Sequence, residues 1–174
     1  VKNVIARLNS APGLTGEITD IPAEGTLLPN TYSYALNDTR QDVLDRMKAA
    51  MVAALDDAWD ARADTAAVGS KQEALILASI VEKETAIASE RPLVASVYSN
   101  RLRQGMRLQA DPTLVYYLSE GTGRLGRGLR RSELHDASTP YNTYRNDGLP
   151  PGPIANPGVD ALKAALSPAA TDFI

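Results

Sequence analysis

Residues 71–86 have the pattern of an apolar helix with a well-marked start. Ser70 and Glu73 form an S-x-x-E capping box, in which each side chain satisfies a free backbone N–H group of the first turn. At about 100° per residue, Glu84 lies only about 20° from Leu77, within the apolar stripe of the helix. We therefore expect the other helices to pack around this one, and the fold must accommodate a carboxylate on its core-facing side.

Glu84 is the main candidate for chemistry. Burial disfavours a charged carboxylate, so we expect its pKa to lie above the usual value of about 4.3, as a general acid near neutral pH requires. The alternative is an ion pair with Arg91 or Arg101 that only holds helices together. The residues alone leave both interpretations open.

The remaining elements predict an α+β fold, rich in helix and with a small amount of sheet. Two short strands are predicted from alternating side chains, within residues 24–34 and at residues 106–109. Helices are predicted from apolar periodicity and capping residues at 1–9, 39–59, 89–105, 111–118 and 159–166. The long irregular stretch 120–158 is typical of a functional segment.

Composition narrows the function classes. The chain has 18 basic and 21 acidic residues and a net charge of −3, which argues against a nucleic-acid partner that binds through bulk charge. It has no cysteine and a single histidine, His135, so we expect neither a metal nor a catalytic triad that uses histidine. No apolar run approaches the length of about 18 residues that spans a membrane. We expect no cofactor.

A glycine-rich segment at residues 121–126 spells G-x-G-x-x-G, but it follows a helix rather than a strand. We interpret it as a mobile surface loop and not as a dinucleotide site. The arginines in and after it form a local basic patch: Arg124, Arg127, Arg130 and Arg131. A solvated loop and a contact with anionic glycan or lipid headgroups both remain open for this patch.

Several long segments, in a fixed order, resemble the endolytic murein transglycosylase (MltG, YceG-like) family. They are ASIVEKET at 78–85, ASER at 88–91, NRLRQGMRLQADPT at 100–113, TPYNTY at 139–144, GLPPGPIANPG at 148–158 and AALSP at 164–168. Residues 24–34 are similar to the segment that precedes the catalytic domain in that family. The resemblance covers roughly residues 24–174.

The resemblance implies a domain organisation and a location. Residues 1–23 are expected to be the end of a small N-terminal, LysM-like domain, and residues 24–174 a lytic transglycosylase catalytic domain truncated at its C-terminus. The family is anchored by a transmembrane helix, which would be missing from this chain. It works on the extracytoplasmic (periplasmic) side of the bacterial inner membrane, on peptidoglycan glycan strands and in company with cell-wall synthesis proteins.

The resemblance also implies a reaction. The family is a carbon–oxygen lyase that cleaves the MurNAc-β-1,4-GlcNAc bond within glycan strands and leaves 1,6-anhydroMurNAc ends. Its catalytic glutamate maps onto Glu84, which the helical wheel singles out independently. Two other functions stay open: a lysozyme-like muramidase, which needs a second carboxylate such as Glu90 or Asp111, and a glycan-binding module without catalysis. Asp111 is interpreted first as a helix cap.

Candidate residues for the sugar site combine flat apolar faces with hydrogen-bonding tips. They are Gln109, Tyr141, Asn142, Thr143, Tyr144 and Asn156. The alternative for Tyr141 and Tyr144 is that they anchor a loop on the core.

Overall fold

The fold is an assembly of helices joined by long loops. A computed structural model describes all 174 residues, of which 47% are helical and 1% are in strands. The α-helices are α1 Lys2–Ser10, α2 Arg40–Asp60, α3 Lys71–Glu84, α4 Arg91–Arg103, α5 Asp111–Leu118, α6 Arg131–His135 and α7 Val159–Leu166. A 3₁₀ turn at Ala88–Glu90 leads into α4. No helix combines the length and the apolar character needed to cross a bilayer.

Helix α3 is the centre of the molecule. Every residue from Ala74 to Val81 is buried, so the helix is covered on all sides rather than along one stripe. It packs mainly against α7, whose buried alanines at 161, 164 and 165 allow the two helices to approach closely. Complete burial of Leu77 and Ile80 stabilises the fold by about 1.5–3 kcal/mol per side chain. The main core of 20 buried residues is built around this helix.

Helix α2 begins as its sequence predicts. The Thr39 hydroxyl accepts the Asp42 N–H at 3.0 Å, and the Asp42 carboxylate accepts the Thr39 N–H at 3.1 Å. The first half of α2 carries a second, smaller core together with α1 and the segment that follows it. Its six buried members are Leu8, Leu14, Leu27, Val43, Leu44 and Met47. The assignment of residues 1–23 to the end of a LysM-like domain stays a prediction.

The prediction of an α+β fold is wrong, because the structure contains no sheet. The only β pairing is an isolated bridge between Thr15 and Thr39. In residues 106–110 the alternation is real, since Leu108 and Ala110 are buried while Gln109 is exposed. However, this segment bonds to a loop and not to a strand. Alternating burial shows that a segment is extended and buried on one side. To belong to a sheet, the segment must also pair with a second strand.

Residues 24–34 also lack strand structure. The Leu28 N–H donates to the carbonyl of Met47 on α2 at 3.2 Å, and the Tyr32 hydroxyl donates to the carbonyl of Leu28 at 2.8 Å. The segment therefore lies along a helix, and its backbone groups are satisfied there. Six helices are confirmed close to their predicted bounds, whereas the short helix α6 lies in a stretch that was predicted to be irregular.

Candidate functional site

Glu84 is the last residue of α3. The next residue, Thr85, is already extended (φ −142°, ψ 138°), and its hydroxyl donates to the Glu90 carboxylate at 2.6 Å. The chain therefore turns away directly after Glu84 and leaves its side chain at a helix end. The Glu84 side chain is exposed, and the buried Tyr98 of α4 donates its hydroxyl proton to Glu84 Oε1.

The expectation that Glu84 is buried is wrong, and the premise for a desolvated carboxyl fails with it. Burial on α3 ends at Val81: Glu82 is only partly buried, and Lys83 and Glu84 are exposed. The wheel still gave a useful direction, since the Glu84 side chain meets α4 through Tyr98. A wheel reports the direction of a side chain but not how far its neighbours reach along the helix axis.

The alternative in which an arginine pins Glu84 does not occur, since no ion pair within 4.0 Å involves this carboxylate. Arg91 instead lies 3.2 Å from Glu82 and 3.6 Å from Asp160. Arg101 donates to the carbonyl of Leu108. The Glu84 carboxylate is thus reachable from solvent and held by one neutral donor.

Tyr98 keeps its proton. Burial, and then the charge of the Glu84 carboxylate, raise the pKa of the Tyr98 hydroxyl far above its usual range of about 10. Its residue is only 6% exposed, and Glu84 is its single hydrogen-bond partner. The hydroxyl therefore acts as a permanent donor to Glu84.

Tyr144 and Asp111 form a second polar pair beside Glu84. The Tyr144 hydroxyl donates to Asp111 Oδ1 at 2.5 Å. Partial burial, followed by this hydrogen bond and the nearby carboxylates of Asp111 and Glu84, raises the pKa of Tyr144 to about 12. Asp111 is not the N-cap of α5, since Ala110 holds that position without a side-chain cap. The interpretation of Asp111 as a helix cap is therefore wrong.

Gln109 is exposed in a backbone conformation that few side chains adopt. Its φ is +53°, in the left-handed region, and its N–H donates to the carbonyl of Thr143 at 3.0 Å. A residue with a Cβ in this region costs roughly 1–2 kcal/mol. The loop contact fixes this backbone and leaves the Gln109 amide directed to solvent at the edge of the site.

Asn142 and Thr143 lie inside the molecule. Asn142 is fully buried, and its side-chain N–H group donates to three carbonyls, those of Glu133, Leu134 and Asp136. The Thr143 hydroxyl accepts the Ala110 N–H at 3.0 Å. Both side chains hold the loop that carries Tyr144, and neither presents a free polar group to a ligand.

Tyr141 mainly anchors its loop to the main core. Its ring lies 5.3 Å from the ring of Tyr116 at an angle of 46°, and it is half-buried against the main core. Its hydroxyl faces Gly152, where an added Cβ would lie 3.1 Å from the oxygen. Tyr141 therefore ties the loop of residues 139–144 to the proline-rich loop of residues 148–158.

The loop of residues 148–158 is fixed to α3 and to the N-terminal segment. The Ile154 N–H donates to the Ser79 hydroxyl at 3.0 Å, and the Gly158 N–H donates to Glu82 at 3.1 Å. The Asn156 side chain accepts the Leu27 N–H at 3.1 Å. These bonds make the loop a rigid wall next to the end of α3.

Two adjoining clefts lie along this wall. One, of about 230 Å³, is lined by Lys83, Asp111, Pro112, Val115, Tyr116, Gly123 and Ile154. The other, of about 260 Å³, includes Glu24, Glu82, Lys83, Thr122, Gly123 and Asn156. Lys83, Gly123 and Ile154 line both clefts, so the two form one groove along the proline-rich loop. No group of three or more histidine, cysteine, aspartate or glutamate side chains comes together to hold a metal ion.

Comparison with known proteins decides the family, because a sequence model of the YceG-like family matches residues 1–174. The chain belongs to the YceG-like family. A yceG-like protein of Listeria monocytogenes, solved at 2.6 Å, superposes with a TM-score of 0.71 and 33% identity, over 98% of this YceG-like chain and 56% of that protein.

Two characterised relatives carry the name endolytic murein transglycosylase. The protein from Bacillus subtilis is 35% identical over 153 residues, which cover 88% of this chain and 41% of that protein. The protein from Streptococcus pneumoniae serotype 2 is 35% identical over 157 residues, or 86% of this chain and 27% of that protein. The YceG-like chain thus spans less than half the length of these relatives.

Sequence reasoning missed two members of the site. Tyr98 was not among the candidate residues, although a buried tyrosine hydroxyl needs a partner and so signals a polar group nearby. Lys83, which lines both clefts, was not a candidate either. The pairing of Asp111 with Tyr144 spans 33 residues, and no local pattern reports it.

Proposed function

We propose that this chain is the catalytic part of an endolytic peptidoglycan lytic transglycosylase that cleaves MurNAc-β-1,4-GlcNAc bonds. The observation that carries the proposal is Glu84: an exposed carboxyl group at the end of α3 that is free of ion pairs and held by a neutral donor. The family and the names of its relatives support this choice of reaction.

Glu84 serves as the acid and then as the base. It first gives its proton to the glycosidic oxygen that leaves with GlcNAc, while the bond from that oxygen to C1 of MurNAc breaks. The resulting carboxylate then takes the proton from the muramyl 6-hydroxyl as its oxygen bonds to C1. The product is a 1,6-anhydroMurNAc end, no water is consumed, and Glu84 regains its proton.

A second catalytic carboxylate is not required in this reaction. A hydrolytic glycosidase uses a partner carboxylate as nucleophile or as the base for water, whereas here the substrate supplies the nucleophilic hydroxyl. Both candidates for a second carboxylate already hold a hydrogen bond, Glu90 from the Thr85 hydroxyl and Asp111 from the Tyr144 hydroxyl. Their engagement supports the lyase over the muramidase.

The candidate residues for the sugar site fall into two groups: those that contact the glycan and those that support the loops of the site. Tyr144 offers a half-exposed ring near Glu84, and Gln109 offers an exposed amide; we assign both to direct contact with the glycan. Asn156 lines the cleft of about 260 Å³. The loops that form the site are held in place by Tyr141, Asn142 and Thr143. Lys83, whose ammonium group makes no ion pair, lines the groove and can donate to sugar oxygens.

The location follows from the substrate. Peptidoglycan lies outside the cytoplasmic membrane, so this chain would act on the extracytoplasmic face of the inner membrane, anchored there by a helix outside this chain. Cell-wall synthesis proteins are its expected partners, and the basic loop with Arg124 and Arg130 is the surface open to anionic glycan or lipid.

Product analysis tests the proposal. Peptidoglycan is digested with the purified protein, and the muropeptides are weighed by mass spectrometry before and after borohydride reduction. Anhydromuramyl ends, lighter by one water and resistant to reduction, are expected. Reducing muramyl ends would identify a muramidase, and binding of glycan strands without any new ends would identify a module without catalysis.

A further inference from the structure

We propose that Tyr98 is a positioning residue that decides which oxygen of Glu84 meets the substrate. Its hydroxyl donates to Glu84 Oε1 from a helix other than the one that carries Glu84. The proposal rests on the proposed function of Glu84 as the acid and base.

The geometry determines the protonation of the two oxygens. A neutral carboxyl group has one O–H donor and one carbonyl oxygen that only accepts. Because the Tyr98 hydroxyl has no other acceptor, it donates to Oε1, and the proton of Glu84 resides on Oε2. The Glu84 side chain is exposed, so Oε2 is the oxygen available to the glycosidic oxygen.

The same contact serves the second half of the reaction. Once Glu84 has lost its proton, the hydrogen bond from Tyr98 becomes charge-assisted and therefore stronger. The carboxylate is held in one rotamer, and Oε2 faces the muramyl 6-hydroxyl whose proton it must take. One fixed oxygen thus handles both proton transfers, and catalysis does not have to wait for a rotation of the side chain.

Other charged and titratable groups around this pair are few. Arg101 on the same helix as Tyr98 acts to lower the pKa of the Tyr98 hydroxyl, whereas the Tyr144 hydroxyl raises it slightly. The Asp111 carboxylate accepts a hydrogen bond from Tyr144 and makes none with Tyr98 or Glu84. Burial and the Glu84 charge outweigh these effects, so the pKa of the Tyr98 hydroxyl is raised and the group is protonated at neutral pH.

Tyr98→Phe removes the donor and keeps the buried ring. We expect kcat to fall by about 10- to 100-fold with KM changed less than about threefold, because the loss concerns orientation and not substrate binding.

Tyr117→Phe is the matched control, since Tyr117 is 47% exposed and its hydroxyl makes no hydrogen bond. It should match the wild type in kcat and in KM. A Tyr98→Phe protein with unchanged kcat would overturn the proposal. A fall in kcat that comes with a rise in KM and a lower melting temperature would also overturn it, because a merely structural role gives that result.

Replacement of Tyr98 by 3-fluorotyrosine covers the case in which Tyr98→Phe does not fold. The fluorinated phenol keeps a hydroxyl donor of nearly the same size, so kcat should stay within about threefold of the wild type and the melting temperature should stay near that of the wild type. A loss of kcat of about tenfold or more would contradict the proposal. If Glu84→Gln is inactive in the same assay while Tyr98→Phe behaves as wild type, only the role of Tyr98 fails. An active Glu84→Gln protein would remove the proposed function itself.

Discussion

The hydroxyl of Tyr144 donates to the carboxylate of Asp111 at 2.5 Å, which ties the loop before the proline-rich wall to the first turn of α5. The pair lies next to Glu84, whose charge contributes to the raised pKa of Tyr144, about 12. At neutral pH Tyr144 is therefore a neutral donor, and Asp111 is its acceptor. This arrangement uses Asp111 to hold a neighbouring ring in place and leaves Glu84 as the carboxylate available for the proposed reaction.

Asp111→Asn tests this division of roles. The amide oxygen can still accept from Tyr144, so we expect less than about a tenfold loss of kcat/KM and unchanged anhydromuramyl products. A second catalytic carboxylate would behave differently, with a loss of about a thousandfold or more. Steady-state kinetics on glycan strands, with Glu90→Gln in parallel, separates the two cases. A large loss at Asp111 would favour the muramidase.

Gln109→Gly should separate folding from activity. Glycine adopts the left-handed backbone freely, so the free energy of unfolding should stay the same or rise by up to about 1 kcal/mol. The loss of the exposed amide should lower kcat/KM by about tenfold. Glu120→Gly is a suitable control, because Glu120 is exposed and has a similar φ of +52° at the end of α5. It should show the same effect on stability with full activity, and an active Gln109→Gly protein would remove Gln109 from the sugar site.

Gly25 determines how the N-terminal segment packs against the proline-rich loop. Its φ is +87°, and an added Cβ would lie 2.6 Å from Pro153 Cβ. Gly25→Ala should therefore lower the free energy of unfolding by about 2–4 kcal/mol in chemical denaturation. Gly126→Ala has a similar φ of +70° but open space around it, so its cost should be only about 1 kcal/mol. Equal costs for the two substitutions would mean that the contact with Pro153 is unimportant.

The sequence predicted those parts of the fold that depend on local chemistry. The capping residues Ser70 and Thr39 and the apolar periodicity located the helices, because these signals act within one turn. The two predicted strands were wrong, because alternation in residues 106–110 reports one-sided burial and not a partner. Local sequence signals carry no information on which distant segment packs against a residue.

The site was predicted in part for the same reason. The wheel directed attention to Glu84, but its exposure depends on where the packed helices end. Asn142 has the composition of a sugar ligand, and only the fold shows that its amide is used by three backbone carbonyls. The contact of Tyr98 with Glu84 joins two helices and could be inferred only from the need of a buried hydroxyl for a partner.

The most direct test of the account is the rate at which Glu84→Gln releases anhydromuramyl ends from peptidoglycan. The amide can accept from Tyr98 but cannot give or take the catalytic proton, so we expect a loss of at least about a thousandfold, with a melting temperature close to that of the wild type. Glu90→Gln is the control, and it should keep most of the activity. Glu82→Gln is not a suitable control, because Glu82 forms an ion pair with Arg91. A folded Glu84→Gln protein that still forms anhydromuramyl ends at a rate near that of the wild type would contradict the account.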